Sequence, residues 1–169
     1  YTFDAKIDGD IAFTLDGVPS EVSNSTNIET FENAITTAKN EVNGSLTGTT
    51  SRYDTVKAIH DHLCNLITYD INSSSPLNQT AYSGLVSKNT VCAGYGTAFK
   101  LLCDAYSIPC VYVSGEAGSY TAPEKHGWNY VQMDDSRWYA VDVTWDDQND
   151  PGKMGKIVYD FFLVGAQTP

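Results

Sequence analysis

Apolar or small side chains occupy every odd position from residue 3 to residue 15 (Phe3, Ala5, Ile7, Gly9, Ile11, Phe13, Leu15), with Asp8-Gly9 in the middle. A period of two is that of a strand with one buried face, so this stretch predicts a hairpin or a long edge strand, ended by Asp16-Gly17 and Pro19. The period then changes. Asn27 can cap a helix on which Phe31, Ile35, Ala38 and Val42 share one face, and Gly44 is a natural stop. Residues 44–51 have the composition of a linker or hinge. Residues 1–50 are therefore expected to be an appended segment, hairpin plus helix, ahead of a core over 51–169.

Helical spacing returns at Val56, Ile59, Leu63 and Ile67, which predicts a helix over 53–67 with Arg52, Lys57 and His60 toward water. Residues 71–80 read as a loop. From Val91 and Cys92 through Phe99, Leu101, Leu102 and Ala105 the chain is apolar on nearly all sides, as a buried central helix would be. Ser107 to Pro109 break it. Strands are predicted at 110–114, 128–133, 138–145 and 157–164, the middle pair joined by Asp134-Asp135-Ser136. Helices first and strands afterwards indicate an α+β fold, the central helix packed on an antiparallel sheet.

Composition narrows the function classes. The chain has 169 residues, and 41% hydrophobic content is ample for one packed core. Ten Lys and Arg against twenty-one Asp and Glu give a net charge of −11, which repels phosphate backbones and anionic lipid surfaces. Nucleic acid is not an expected partner. No apolar run approaches the ~18 residues of a spanning helix, so membrane insertion is not expected. The chain opens at Tyr1 without an initiator Met, as a processed product or an excised piece would. Low charge density and many Ser, Thr and Asn point to a secreted or cell-surface protein.

Four cysteines are present, without a C-x-x-C, and His60, His62 and His126 form no compact ligand set with them. No metal or cofactor is expected, and the acidic run 146–150 lacks the ligand order of an EF-hand and reads as a solvated loop. In an oxidising compartment Cys64 could join Cys103, or Cys103 could join Cys110. Cys92 differs from these. It opens the apolar helix, where the helix dipole favours a thiolate, and Gly94 and Gly96 allow close approach.

A thiolate nucleophile needs a base and a group that orients the base. His126 stands where a loop enters a strand, and Asp142 lies within the apolar, β-branched run 138–145, an expensive place for an unpaired carboxylate. A three-residue loop at 134–136 puts Trp128 opposite Asp142 and His126 opposite Thr144, so His126 and Asp142 share a face. That face also carries Trp128, Tyr130, Trp138 and Ala140, which are expected to pack on the helix of Cys92.

Three blocks, 91–99 (VCAGYGTAF), 126–129 (HGWN) and 138–147 (WYAVDVTWDD), resemble the transglutaminase-like superfamily, in particular its bacterial extracellular branch. Flanking pieces agree: 53–70 with the helix ahead of the core, Ala81-Tyr82 with the approach to the nucleophile, and 159–163 with the closing strand. The resemblance spans roughly residues 52 to 164. It implies a papain-like site with Cys92 as nucleophile, His126 as general base and acid, and Asp142 as orienting carboxylate. The Cys92 N–H and Tyr82 would form an oxyanion hole, and Trp128 would shield the imidazole. The family more often has Ala at the positions of Gly96 and Gly127. The implied reaction is attack on a peptide or glutamine carboxamide carbonyl of a protein or peptide, followed by hydrolysis or aminolysis of a thioester. Two rivals are a catalytically inactive surface module that binds protein or glycan and an ordinary papain-type protease, whose signature around the cysteine is absent.

Overall fold

The computed structural model describes residues 25–48, 50–72, 75–119, 121–148 and 156–165. The alternating stretch 3–15 and its predicted hairpin lie outside them. Helix α1 (Ser25–Ser45) starts ahead of the expected cap at Asn27 and runs one residue past Gly44. Its apolar stripe behaves as the spacing predicts: Ala38 and Val42 are buried, and Phe31 and Ile35 pack against the same core. Across the boundary drawn at residue 50, α1 and the elements after it share one hydrophobic core. Tyr106 adds polar ties, its hydroxyl donating to Lys39 O at 3.0 Å and Asn43 Oδ1 at 2.8 Å.

Helix α2 (Arg52–Leu66) begins with a capping box, in which the Ser51 hydroxyl accepts from Asp54 N–H at 3.1 Å and the Asp54 carboxylate accepts from Ser51 N–H at 2.9 Å. Val56, Ile59 and Leu63 form its fully buried face, continued by Ile67. Two residues expected to face water do otherwise. His60 is completely buried between acidic side chains, and Arg52 reaches Gln132 O at 2.9 Å and Asp134 at 3.2 Å. Periodicity cannot reveal Gln132, Asp134 or Asp146 as partners, because they lie 80 to 86 residues away.

A two-residue parallel pairing of β1 (Thr68–Tyr69) with β2 (Asn89–Thr90) brings the end of α2 beside the start of α3 (Cys92–Ala105). The loop between contains a 3-10 turn at Pro76–Gln79 and a π-helical turn at Ser83–Ser87. As its composition predicts, α3 is central, with Tyr95, Ala98, Phe99, Leu102 and Cys103 buried at 1% exposure or less. Helices α1 and α2 pack on one side of it. On the other side lies an antiparallel sheet in the order β3 (Cys110–Ser119), β4 (Ala122–Gln132), β5 (Trp138–Val141), β8 (Phe162–Val164).

The three-residue turn 134–136 sets the β4–β5 register as expected, with Asn129 opposite Val141 and Tyr130 opposite Ala140. The expected packing face is reversed. Asn129, Val131 and Val141 are buried at 1% exposure or less and face α3, with Asn129 Nδ2 donating to Gly96 O at 3.0 Å, whereas Trp138 is 44% exposed. Aromatic bulk suggested the other side, but β-branched volume close to a helix backbone fits a tight interface better than tryptophan does. The strand also stops early. Asp142 caps a short helix, α4 (Val143–Asp146), by accepting from Trp145 N–H at 3.1 Å, so the expected pairs of Trp128 with Asp142 and His126 with Thr144 do not form. The closing strand divides into β7 (Lys156–Ile157), which pairs with β6 (Asp147–Gln148), and β8 beside β5. The acidic run expected in a solvated loop is anchored where it is described: Asp146 and Asp147 are buried, bonded to His60 and Tyr95.

Candidate active site

Cys92 is the first residue of α3, half-buried, and the preceding Val91 offers no side-chain cap. Gly94 and Tyr95 N–H donate to Val91 O, which leaves the Cys92 and Ala93 N–H groups at the open end of the helix beside the sulfur. Gly94 permits this, since a Cβ there would strike Thr90, whose hydroxyl is bonded to Asn78 O. Burial pushes the Cys92 thiol up, but the His126 ring and the N–H groups of Gly127 and Ala93 bond the sulfur and outweigh it, leaving the pKa below the ordinary thiol value.

His126, 9% exposed, lies in β4 and makes the second link. Its Nε2 is 2.5 Å from Asp142 Oδ2, which leaves Nδ1 for the sulfur. Burial lowers the imidazole pKa, and the Asp142 carboxylate together with Cys92 raises it further, to about 9 overall. Opposed shifts of a neighbouring thiol and imidazole favour moving the proton from the sulfur to the ring. Asp142 is 6% exposed and serves twice, one oxygen taking the histidine and the other capping α4. The predicted common face of His126 and Asp142 is therefore realised, by a strand end and a cap rather than by two paired strands.

Trp145 closes over this pair. Its ring stacks on the imidazole at 4.4 Å and 11°, whereas Trp128, expected to shield the imidazole, is more distant at 6.2 Å and 18°. An apolar cavity of about 160 Å³ adjoins His126, Trp128, Asp142, Trp145 and Phe161. Trp145 lies inside the 138–147 motif, but a strand there does not place it above the histidine, as the turn of α4 does.

Tyr82 packs on Phe31 of α1, with ring centroids 5.7 Å apart. Two other tyrosines sit within the field of the sulfur: burial, then the Cys92 charge, raise the pKa of Tyr69 and of Tyr112. The β1–β2 pairing places Tyr69 next to Thr90, two residues ahead of Cys92, a proximity that only tertiary structure creates. The other three cysteines are buried thiols. Cys103 contacts Cys110, one of the two expected pairings, while Cys64 turns toward His60 and Val143 O. Among the described residues no group of three or more His, Cys, Asp or Glu is arranged to hold a metal ion.

Comparisons with known proteins bear on the fold. A solved structure described as a TGase superposes with TM-score 0.61 at 18% identity, over 82% of this chain and 38% of that one. A Cytophaga hutchinsonii chain described as a cysteine-protease candidate gives 0.54 at 24%, over 77% and 46%. The periplasmic domain of TgpA from Pseudomonas aeruginosa, bound to ethylmercury, gives 0.53 at 16%, over 68% and 44%. At these identities the likeness is one of fold, and this chain spans less than half of each of those chains. A 56-residue stretch, a third of this chain, is 39% identical to 5% of a probable serine/threonine-protein kinase SIS8 of Arabidopsis thaliana. The family model of the transglutaminase-like superfamily matches residues 40–143, well over half of the chain, from the end of α1 through the Asp142 cap. The chain belongs to that superfamily.

Proposed function

We propose that this protein is a thiol acyl-transfer enzyme, a cysteine peptidase or a protein-glutamine transamidase or deamidase, acting on protein or peptide substrates without a cofactor. The observation that carries this reading is a single imidazole bonded to Asp142 through Nε2 and near enough to the Cys92 sulfur to draw the thiol pKa down. The Cys92 thiolate attacks a carboxamide or peptide carbonyl carbon, and the carbonyl π pair moves to oxygen. The oxyanion is received by the Cys92 N–H and by a tyrosine hydroxyl, for which Tyr69 replaces Tyr82 as the candidate. Collapse expels ammonia or an amine, which takes its proton from the His126 imidazolium and leaves a thioester. Water or a second amine then gives a proton back to His126, attacks the thioester and releases the sulfur. Throughout, Asp142 holds the ring, and Trp145 keeps bulk water from the ion pair.

An extracellular or periplasmic place of action is part of the proposal. It draws on the low charge density of the chain and on the periplasmic origin of the TgpA domain of similar fold. The net charge of −11 speaks against nucleic acid as a partner. The test is incubation with a casein-like, glutamine-rich substrate, with and without a primary amine tracer. Amine incorporation that disappears in Cys92→Ala supports transamidation, and Cys92-dependent cleavage or ammonia release supports hydrolysis. None of these in a folded wild-type protein, across a panel of such substrates, favours the inactive binding module.

A further inference from the structure

Behind the site lies a second charged group, fully enclosed. His60 of α2 is 0% exposed, and each ring nitrogen meets a carboxylate: Nδ1 lies 3.0 Å from Asp61 Oδ1 and Nε2 3.1 Å from Asp146 Oδ2. Two acceptors require two N–H donors, which only the imidazolium provides. Burial acts to remove that proton, but Asp146, Asp61 and the Cys64 sulfur, 3.9 Å away, outweigh it and push the pKa up to about 11. The remaining charged and titratable neighbours are engaged. Lys57 and the Tyr159 hydroxyl bond the other Asp61 oxygen, Asp147 accepts from Tyr95, and the rings of Tyr159 and Phe162 cover the imidazole at 5.5 and 4.9 Å.

Asp146 links this group to the chemistry. It ends α4, and its N–H donates to Asp142 O at 3.1 Å. Its Oδ1 accepts from Phe161 N–H at 2.9 Å, and Phe161 O accepts from Asp142 N–H at 3.0 Å. The turn 142–146 therefore presents Asp142 and Trp145 to His126 at one end and is pinned to α2 through His60 at the other. We propose that His60 is a positioning residue for the Cys92–His126–Asp142 site, fixing through Asp146 the turn that sets the Asp142 carboxylate and the Trp145 ring against His126. This inference rests on the catalytic reading above. Apolar side chains of similar volume often stabilise such a place as well as a buried ion pair does. What they lack is directional hydrogen bonds, and these define where the turn stands.

The test is alkylation of Cys92 by iodoacetamide, mapped by mass spectrometry from about pH 5 to about pH 10, the range in which a perturbed thiol titrates. Wild type is compared with His60→Gln, with Asp146→Asn and with Val42→Ala, a destabilised control in α1 remote from α4. With Asp142 and Trp145 displaced, His60→Gln and Asp146→Asn are expected to raise the apparent thiol pKa by about one unit, lowering the rate on the acid side about tenfold. Val42→Ala keeps the wild-type profile. A folded His60→Gln with an unchanged profile overturns the positioning role while leaving the catalytic reading intact. A wild-type Cys92 no more reactive than the other three cysteines overturns the catalytic reading and this inference with it. If neither anchor variant folds, ring-nitrogen NMR of the wild type decides. Two protonated nitrogens on His60 at about pH 8 support the charged anchor, and a neutral ring overturns it.

Discussion

Replacing Gly96 with alanine drives a methyl group into the ring of Tyr112. An ideal Cβ at Gly96 falls 2.6 and 2.7 Å from Cδ2 and Cε2 of that ring, and one at Gly127 falls 2.8 Å from Cε2 and Cζ. Both glycines thus face the same edge of Tyr112. Ordinary contact begins at 3.4 Å, so Gly96→Ala requires the ring to retreat by roughly 0.8 Å, a large displacement in a close-packed interior. The Tyr112 backbone cannot absorb this freely, because it is paired with Asn129 in the sheet and Asn129 is itself bonded to Gly96 O. Overpacking of this kind costs about 1–3 kcal/mol, which in a domain of this size lowers Tm by about 2–4 °C per kcal/mol. Tyr112→Val removes the obstacle, so Gly96→Ala/Gly127→Ala/Tyr112→Val should recover most of the loss of the double alanine variant. Thermal unfolding followed by circular dichroism measures both effects. An unshifted Tm in Gly96→Ala, or a triple variant as unstable as the double one, refutes the reasoning. If it holds, Tyr112 explains why this chain carries glycine where the family more often has alanine.

Other consequences are equally direct. Tyr69→Phe should lower the turnover of the substrate assay about 10²-fold, the effect of losing one oxyanion donor, while Tyr82→Phe stays near wild type. Wild-type turnover in Tyr69→Phe would remove Tyr69 from the site. Folding stability should decline in alkali. The raised His126 and His60 pKa values stabilise the fold fully below the ordinary histidine value of 6.5, and that contribution is lost as pH passes about 9 and then about 11. Asp61 has its pKa lowered, burial opposing but His60 and Lys57 prevailing, so its contribution is present above 3.8 and is lost as pH falls further. Urea midpoints across pH measure the resulting plateau, and a stability that rises above pH 9 would contradict the assignment. Ser51→Ala removes the α2 capping box and should cost about 0.5–2 kcal/mol, read from the same urea curves.

Much of the site was legible in the chain itself. The α3 start, the β4–β5 register and the common face of His126 and Asp142 follow from period, turn length and side-chain alternation, which are local properties. Local propensity failed where a polar side chain competed with it. Residues 138–145 look like one strand, yet the Asp142 carboxylate caps the next turn and ends the strand at Val141. His60 looked solvent-facing because its neutralising partner Asp146 is 86 residues away. The nearness of Tyr69 to the sulfur comes from a two-residue parallel pairing that no periodicity announces.

The central claim is that Cys92 is held as a thiolate by a histidine that Asp142 orients. Mapped iodoacetamide labelling of the wild type and of His126→Ala near pH 7 addresses it most directly. The account predicts that Cys92 is modified first in the wild type and loses that priority in His126→Ala. Equal labelling of all four cysteines in the wild type, or a Cys92 rate unaltered by removing the imidazole, would contradict it.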